Sequence, residues 1–308
     1  MIEIFLNNKK ITDNCGSLNV SKSKMDVCKK ITLNILKNED IKINLSDTIK
    51  IAEENKVIFY GFIFHLDVDD NSTYISVTAY DPLVYLKKSK IKDFVFENKT
   101  TSEIIQSILG ETGGLELGNN DLKDEEITLN LKEKTLYDGL KEVVEKVHDI
   151  TSEDYLIIFE DMKIHFNKLG FKSSHKIKWT EEIEVGTLLS KKYTESLENM
   201  INTVYILNED DSIKEIKTSD LTKFGTIATT FKPDKDGKEN VESKFKGIDT
   251  TLDVSVIGSF DFCVGAKVDV EINGNSAEFF IESESHNYSD GVHISDLTLI
   301  KEWDGEDS

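Results

Sequence analysis

The chain of 308 residues contains no arginine, so all 37 of its basic residues are lysines. Lysine is a compact point charge without the planar fork that grips phosphate or carboxylate in two places. Against 58 acidic residues it leaves a net charge of −21, a field that repels polyanions. Sequence-specific nucleic-acid binding is therefore not expected. Cysteine is scarce too: Cys15, Cys28 and Cys263 are odd in number and widely spaced. They supply neither a disulfide framework nor a zinc knuckle. The longest apolar run, Val57 to Phe64, has eight residues, where a membrane span needs about 20. Met1 is followed by Ile2-Glu3-Ile4-Phe5-Leu6 with no basic segment and no sustained apolar stretch. Neither a signal peptide nor a stable membrane association is expected. Nucleophile-elbow, zincin, phosphate-loop and dinucleotide motifs are all missing.

What is present is an ordinary globular composition, 38% hydrophobic and 31% charged, long enough for about two domains. The charge is unevenly spread: residues 1–99 sum to +1, residues 100–185 to −9 and residues 186–308 to −13.

Alternating or β-branched stretches at 31–35, 48–51, 56–69 and 73–80 predict a small antiparallel meander, read as a barrel. Asp81-Pro82 then suits the start of a short helix over 83–86. Apolar residues at 104, 105, 108 and 109 predict a helix capped by Thr100 or Thr101 and stopped by the glycines at 110, 113 and 114. Thr135 to Val147 repeats the pattern, and 155–166 reads as a hairpin turning at Glu160-Asp161. Strands return at 201–207, 266–272, 277–288 and 292–300, while the polar segment 232–246 reads as a mobile loop. The expected fold is mainly β within the α+β class: a barrel-like unit over 1–98, an α+β module over 99–184, and a second barrel-like unit with an acidic tail over 185–308.

Chemistry has few candidates. His65, Asp67 and Asp69 share a strand face by their spacing of two, which suits a metal site. A strand running out into solvent explains them more simply. The calcium-loop reading fails because Ser72 and Thr78 stand where a glycine and a glutamate belong. His286 and His293 flank Ser289-Asp290-Gly291. A three-residue loop pairs Ile281 with Leu299 and Ser283 with Leu297 and puts the two histidines on opposite faces. A two-residue loop reunites them but sets Glu282 against Leu299. No catalytic, cofactor or metal residue is assigned. In the strand 57–64 both alternate faces are apolar, so something must cover the second one: neighbouring helices of the same chain, or another subunit. On the subunit reading, Val57, Ile58, Phe59, Tyr60, Phe62 and Ile63 form the contact.

Six stretches in order carry a resemblance: Val57 to Ile63, Tyr74 to Leu86, Lys99 to Leu109, Val185 to Val204, Gly258 to Gly265 and Phe280 to Leu299. Together they resemble the XkdQ/YqbQ-type tail proteins of PBSX-like phages and phage-derived bacteriocins. That family is similar in turn to the central baseplate hub of T-even phages, to gene D-type tail proteins and to the hub part of type VI secretion spikes. The resemblance implies a non-enzymatic structural hub, a homotrimer adapting a sixfold tail tube to a threefold spike. Its implied partners are the tail tube protein, the spike protein, the tape measure and inner baseplate proteins, with no cofactor. Such a chain would be made in the bacterial cytoplasm and end in the baseplate of a virion or bacteriocin particle. The alternative is a cell-wall hydrolase or metal-dependent enzyme at the tail tip, using His65, Asp67 and Asp69 or the His286 region. A carbohydrate-binding module at the tip is a third reading.

Overall fold

The structure is a computed structural model that describes residues 2–90, 93–233, 241–272 and 274–301. The first stretch holds β1 (Ile2–Leu6), β2 (Lys9–Lys10), β3 (Cys15–Ser23), β4 (Lys30–Leu36), β5 (Thr48–Glu53), β6 (Lys56–Val68) and β7 (Tyr74–Tyr80), then α1 (Leu83–Lys88). In the middle come β8 (Phe94–Thr100), α2 (Thr101–Gly110), β9 (Glu116–Asn120), β10 (Glu126–Leu131), α3 (Leu136–Thr151), β11 (Tyr155–Glu160) and β12 (Lys163–Lys168). The rest comprises β13 (Ile177–Lys178), β14 (Leu188–Ser196), β15 (Thr203–Leu207), β16 (Ile213–Thr218), β17 (Ala228–Phe231), β18 (Asp249–Ile257), β19 (Lys267–Ile272), β20 (Asn275–Ser289) and β21 (Val292–Ile300). The fold is mainly β within the α+β class, as expected.

The two expected barrels do not close. Their strands join one 13-stranded sheet, in the order β14-β18-β21-β20-β3-β4-β7-β6-β5-β1-β2, with β19 on β20 and β13 on β19. The joint is β20. One edge pairs with β21; the other pairs first with β19, through Asn275 to Phe280, and then with β3, through Ser283 to Ser289. A bulge lies between Ile281 and Ser283. Before it, Phe279 and Ile281 are buried; after it, Glu284 and His286 are. The extra residue reverses which side chains face inward, so one strand serves two cores.

Three main cores follow. One lies inside the first strands (Ile31, Leu33, Ile51, Phe59, Val77), another inside the last (Val256, Phe262, Val268, Ile281, Leu299). The third sits between α1, α2, α3 and the strands of the middle stretch. Both longer helices begin in capping boxes, Thr100 with Glu103 and Thr135 with Asp138, which satisfy the first free N–H groups of each helix. Ile104, Ile105, Ile108 and Leu109 of α2 and Leu136, Leu140, Val143 and Val147 of α3 are buried, as their spacing predicts. The hairpin β11–β12 turns through Asp161 and Met162, both with positive φ, one residue later than the expected Glu160-Asp161, because Glu160 still pairs with Lys163.

A small fourth core, Val204, Ile206 and Phe231, belongs to the separate sheet β16-β15-β17. Val241 and Phe245 pack against it, and Val241–Lys244 forms a turn of 3-10 helix. The C-terminal end of the expected mobile loop 232–246 is thus a packed element, and the part spanning 234–240 lies outside the described residues.

Gly61 is where the long strand β6 is tightest. A Cβ there would meet the Tyr80 carbonyl oxygen at 2.2 Å and the Phe59 ring at 2.6 Å. Overpacking against backbone has no cheap relief. Gly61→Ala is expected to cost about 3 kcal/mol in urea unfolding followed by circular dichroism, and an unchanged midpoint would show that β6 and β7 can separate there.

Candidate functional site

The most chemically distinctive place in the molecule is the joint itself. Lys22 on β3 and Glu284 on β20 are direct cross-strand partners. Both are buried, at 5% and 3% exposure, as is Asp81 after β7. Lys29, just before β4, completes the group: its Nζ lies 3.3 Å from Glu284 Oε1. Glu284 Oε2 accepts the Val264 N–H at 2.6 Å. Asp81 accepts two backbone N–H bonds, from Lys29 at 2.7 Å and from Leu83, the first residue of α1, at 2.9 Å. Lys22 Nζ has a single long contact, to the Ile157 carbonyl of β11 at 3.4 Å. The four groups therefore touch all three stretches of the chain.

Burial dominates their ionisation. It lowers the Lys22 pKa despite Asp81 nearby, and it raises Asp81 to about 6 against the pull of Lys22 and the two N–H donors. For Lys29 burial is the largest influence and acts downward, but Glu284, Cys263 and Asp81 together outweigh it and the value ends raised. Cys263 beside them is pushed up to about 12 by burial, which makes it an inert thiol. These groups floor a cavity of about 610 Å³ whose walls come from β6, from the hairpin β11–β12 and from the segment around Phe260.

The same joint holds the two histidines, and here the sequence expectation is corrected. Asp290 and Gly291 both take positive φ and form a two-residue loop, so Ser289 pairs with Val292 and His286 with Ser295. His286 Nδ1 and His293 Nε2 stand 3.1 Å apart. The bulge at Glu282 makes this possible: it absorbs one residue, restoring Ile281 opposite Leu299 without placing Glu282 there. The Phe262 carbonyl can only accept, so His286 Nε2 carries the proton that meets it at 3.1 Å. Nδ1 is then an acceptor, reached by the Ser295 hydroxyl at 2.9 Å and by His293. The Phe260 ring packs on both imidazoles, with centroids 4.8 and 4.5 Å away. Burial lowers both pKa values to about 4, with His286 adding to the shift of His293. The pair is a neutral, hydrogen-bonded unit. Among the described residues no group of three or more His, Cys, Asp or Glu side chains is arranged to hold a metal ion. His65 and Asp67 on β6 and Asp69 after it are exposed, and Asp69 caps its own turn through the Asn71 N–H at 2.9 Å.

The strand β6 divides its residues between two faces. Phe59 and Ile63 lie in the first core, at 3% and 2% exposure. Val57, Ile58 and Tyr60 are half-buried and line the cavity. Phe62 belongs to a half-exposed aromatic ladder, Tyr60-Phe62-Tyr85-Phe64-Tyr80, with successive ring centroids 5.5 to 5.9 Å apart. Tyr85 comes from α1, so the chain itself covers part of the second face.

Three comparisons set this geometry in context. A family model described as YQBQ-like matches residues 18–300. No curated protein matches the chain in sequence. Among solved structures, the chain is similar to a tail protein from Neisseria meningitidis, with a TM-score of 0.77 at 11% identity, covering 99% of this chain and 97% of that one. It is similar to a 43 kDa prophage tail protein from Shewanella oneidensis at a TM-score of 0.73 and 12% identity, covering 97% of each. An Escherichia coli component of the type VI secretion system, itself described as similar to phage T4 tail proteins, gives 0.59 at 9%, covering 100% of this chain and 78% of that one. At such identities the likeness is one of fold.

Two predictions follow from the joint. Glu284→Gln keeps the oxygen for the Val264 N–H but strands Lys29, and should cost about 3 kcal/mol in chemical denaturation. Adding Lys29→Met should recover most of that loss, and equal losses in the single and double variants would mean the ion pair is not what matters. The second concerns acid. A histidine depressed from 6.5 to about 4 binds its proton more readily when unfolded, so its contribution is full above pH 6.5 and is lost as pH falls to about 4. For His286 the loss is about 3 kcal/mol. Asp81, raised to about 6, works the opposite way, its contribution fading as pH rises from 3.8 through 6. Subtracting the His286→Gln curve from the parent's cancels Asp81, and the difference should shrink from pH 7 to pH 4.

Proposed function

The chain belongs to the YQBQ-like family, and from that premise we propose that it is a structural component of a phage-type tail baseplate, acting as a trimeric hub. The observation that carries this reading is the family match over 18–300 joined to a tail-protein fold along almost the whole chain. The hub would adapt a sixfold tail tube to a threefold spike. Its partners would be the tail tube protein, the spike protein, the tape measure and inner baseplate proteins, in a virion or a bacteriocin particle. Two β-units per chain, joined through the single strand β20, would give three copies six units from which to build such a ring. No catalytic role is assigned: His286, His293, Asp81 and Glu284 are engaged in contacts that hold the joint, and Cys263 is a buried thiol.

The proposed subunit contact is the outer face of β6, now narrowed by its own geometry. Phe59 and Ile63 lie in the core, Phe59 also reaching the cavity that Val57, Ile58 and Tyr60 line, and Phe62 belongs to the half-exposed ladder. A charge buried without a partner costs several kcal/mol at either kind of position. Phe59→Asp is expected to unfold the chain, whereas Phe62→Asp should leave a folded protein that fails to trimerise. Mass in solution with circular dichroism reads both outcomes, and a trimeric, soluble Phe62→Asp variant would overturn this contact. The same trimer should release nothing from purified peptidoglycan, and turnover there would favour the tail-tip hydrolase instead.

A further inference from the structure

The floor of the 610 Å³ cavity leaves two groups of opposite kind incomplete. Lys22 Nζ has one long contact, to a carbonyl 3.4 Å away, and can use further acceptors. Glu284 Oε1 is buried without a hydrogen bond, with Lys29 Nζ 3.3 Å away, and can use a donor. Four lysines and four carboxylates line the cavity, so its charges balance. An ion of either sign would suit one of the two groups and oppose the other. A peptide segment suits both, because its neutral backbone carries a carbonyl acceptor and an N–H donor at nearly every residue. The walls add a demand for apolar bulk: Val57 and Ile58 from β6, Ile158 and Phe159 from β11, and Phe260. An apolar cavity of about 150 Å³ takes up benzene, so this one has room for a large aromatic side chain and a neighbour.

The chain itself carries such a segment, displayed outward. Among the described residues, Ile183 at 79% and Trp179 at 71% exposure are, with Met25, the most exposed large apolar side chains. Both stand on the loop between β13 and β14, and that loop is held in shape. Its ends are tied by the Lys178 N–H donating to the Gly186 carbonyl at 3.1 Å and by Lys178 Nζ at 2.8 Å from Glu184 Oε1. Inside it, the Thr187 hydroxyl accepts the Glu184 N–H at 2.9 Å and donates to the Glu182 carbonyl at 3.3 Å. Gly186 lies at φ +86°, and a Cβ there would meet the Lys176 carbonyl oxygen at 1.9 Å. A prong fixed in this way loses little conformational freedom on binding. At such exposure neither apolar side chain lies in its own chain's cavity. Glu181, Glu182 and Glu184 flank the pair, which disfavours an anionic lipid surface.

We infer that the prong of one copy seats in the cavity of the next, with the Trp179 indole among Ile58, Ile158, Phe159 and Phe260 and with Ile183 beside it. The loop would bring donors and acceptors to Glu284 and Lys22 together. Two observations make the occupant a second copy of this chain. Tyr60 lines the cavity and packs on Phe62 with ring centroids 5.9 Å apart, so the seat is continuous with the subunit contact proposed on β6. A prong and a cavity are also different surfaces of one chain, and a head-to-tail contact of that kind can close into a ring. The inference rests on the trimer reading and adds to it the residues that each copy lends to its neighbour. A tryptophan buried in a partner's pocket is the kind of anchor that dominates an interface's binding energy.

The test uses the full chain with Trp303→Phe, which leaves Trp179 as its one tryptophan. Mass in solution and tryptophan emission are followed against protein concentration. The emission is expected to move to shorter wavelength as the trimer forms, because the indole leaves water. Trp179→Ala should raise the concentration needed for assembly at least tenfold, the scale of a lost anchor. Ile158→Trp should do the same by filling the seat. Mixing these two variants separates a lost contact from a lost fold, which circular dichroism checks for each. The prong of Ile158→Trp fits the unaltered cavity of Trp179→Ala, so a one-to-one dimer should form where each variant alone is monomeric. A trimer unaffected by Trp179→Ala, an emission unchanged on assembly, or no dimer from the two folded variants would overturn this inference and leave the hub reading standing. A parent that stays monomeric at every concentration would overturn both. Binding of the trimer to phosphatidylcholine vesicles that Trp179→Ala abolishes would assign the prong to a lipid surface and refute the seat.

Discussion

Everything at the centre of this molecule depends on one carboxylate being buried in good company. Glu284 sits on the strand shared by both β-units, accepts the Val264 N–H, and faces Lys29. Removing two charges from water costs several kcal/mol each, and only close pairing with further hydrogen bonds offsets it. The site meets that condition in part, with groups drawn from distant parts of the chain: Lys29 Nζ lies 3.3 Å from Glu284 Oε1, an oxygen that makes no hydrogen bond. Lys22 and Lys29 flank the first turn of the meander, Asp81 starts α1, Ile157 belongs to the hairpin, and Val264 leads into β19. A displacement of any one of these elements would leave a charge unpaired in a poorly polarisable interior. The group is thus a weak source of net stability and a strong constraint on mutual placement.

The bulge at Glu282 is what allows that constraint to exist. A strand of constant parity would feed Phe279, Ile281, Ser283 and Ser285 inward. One inserted residue instead turns Glu284 and His286 in, so β20 ends one core and begins the joint to the next. The cost is a local break in the ladder, met in part by the Lys24 N–H donating to the Glu282 carbonyl. The His286–His293 unit and Phe260 then close the space behind the bulge with groups that stay neutral near pH 7.

This is also where the legibility of the sequence ends. Helices α2 and α3 were readable because capping boxes and a 3.6-residue stripe are local signals, and the hairpin β11–β12 because its apolar runs flank a polar tip. Strands β10 and β18 lie outside the expected strands although both alternate, as Glu126–Leu131 and Asp249–Ile257 show. The register of β20 on β21 was not readable. A bulge has no local signature in Ile281-Glu282-Ser283, and the two-residue and three-residue loops differ only by whether one is present. The union of the two β-units is equally silent in the sequence, because β3 and β20 are about 260 residues apart and each alternates as an ordinary edge strand would. The buried charges were hidden for the same reason: Lys22 and Glu284 are two among many lysines and acids until the pairing of those strands places them inside.

The consequence for function runs through rigidity. Two β-units linked by a loop would be free to reorient, and a ring built from them would have edges of uncertain spacing. Here the link is a strand, hydrogen-bonded to β19 and β3 on one side and to β21 on the other, whose Glu284 is buried with Lys22, Lys29 and Asp81 nearby. Rotation of one unit against the other would break the β3–β20 ladder and the ion pair together, so the two units keep a fixed spacing. A fixed spacing of this kind is what the proposed hub would need, since three copies could imitate a sixfold ring only if the two edges each contributed were held at one distance and one angle.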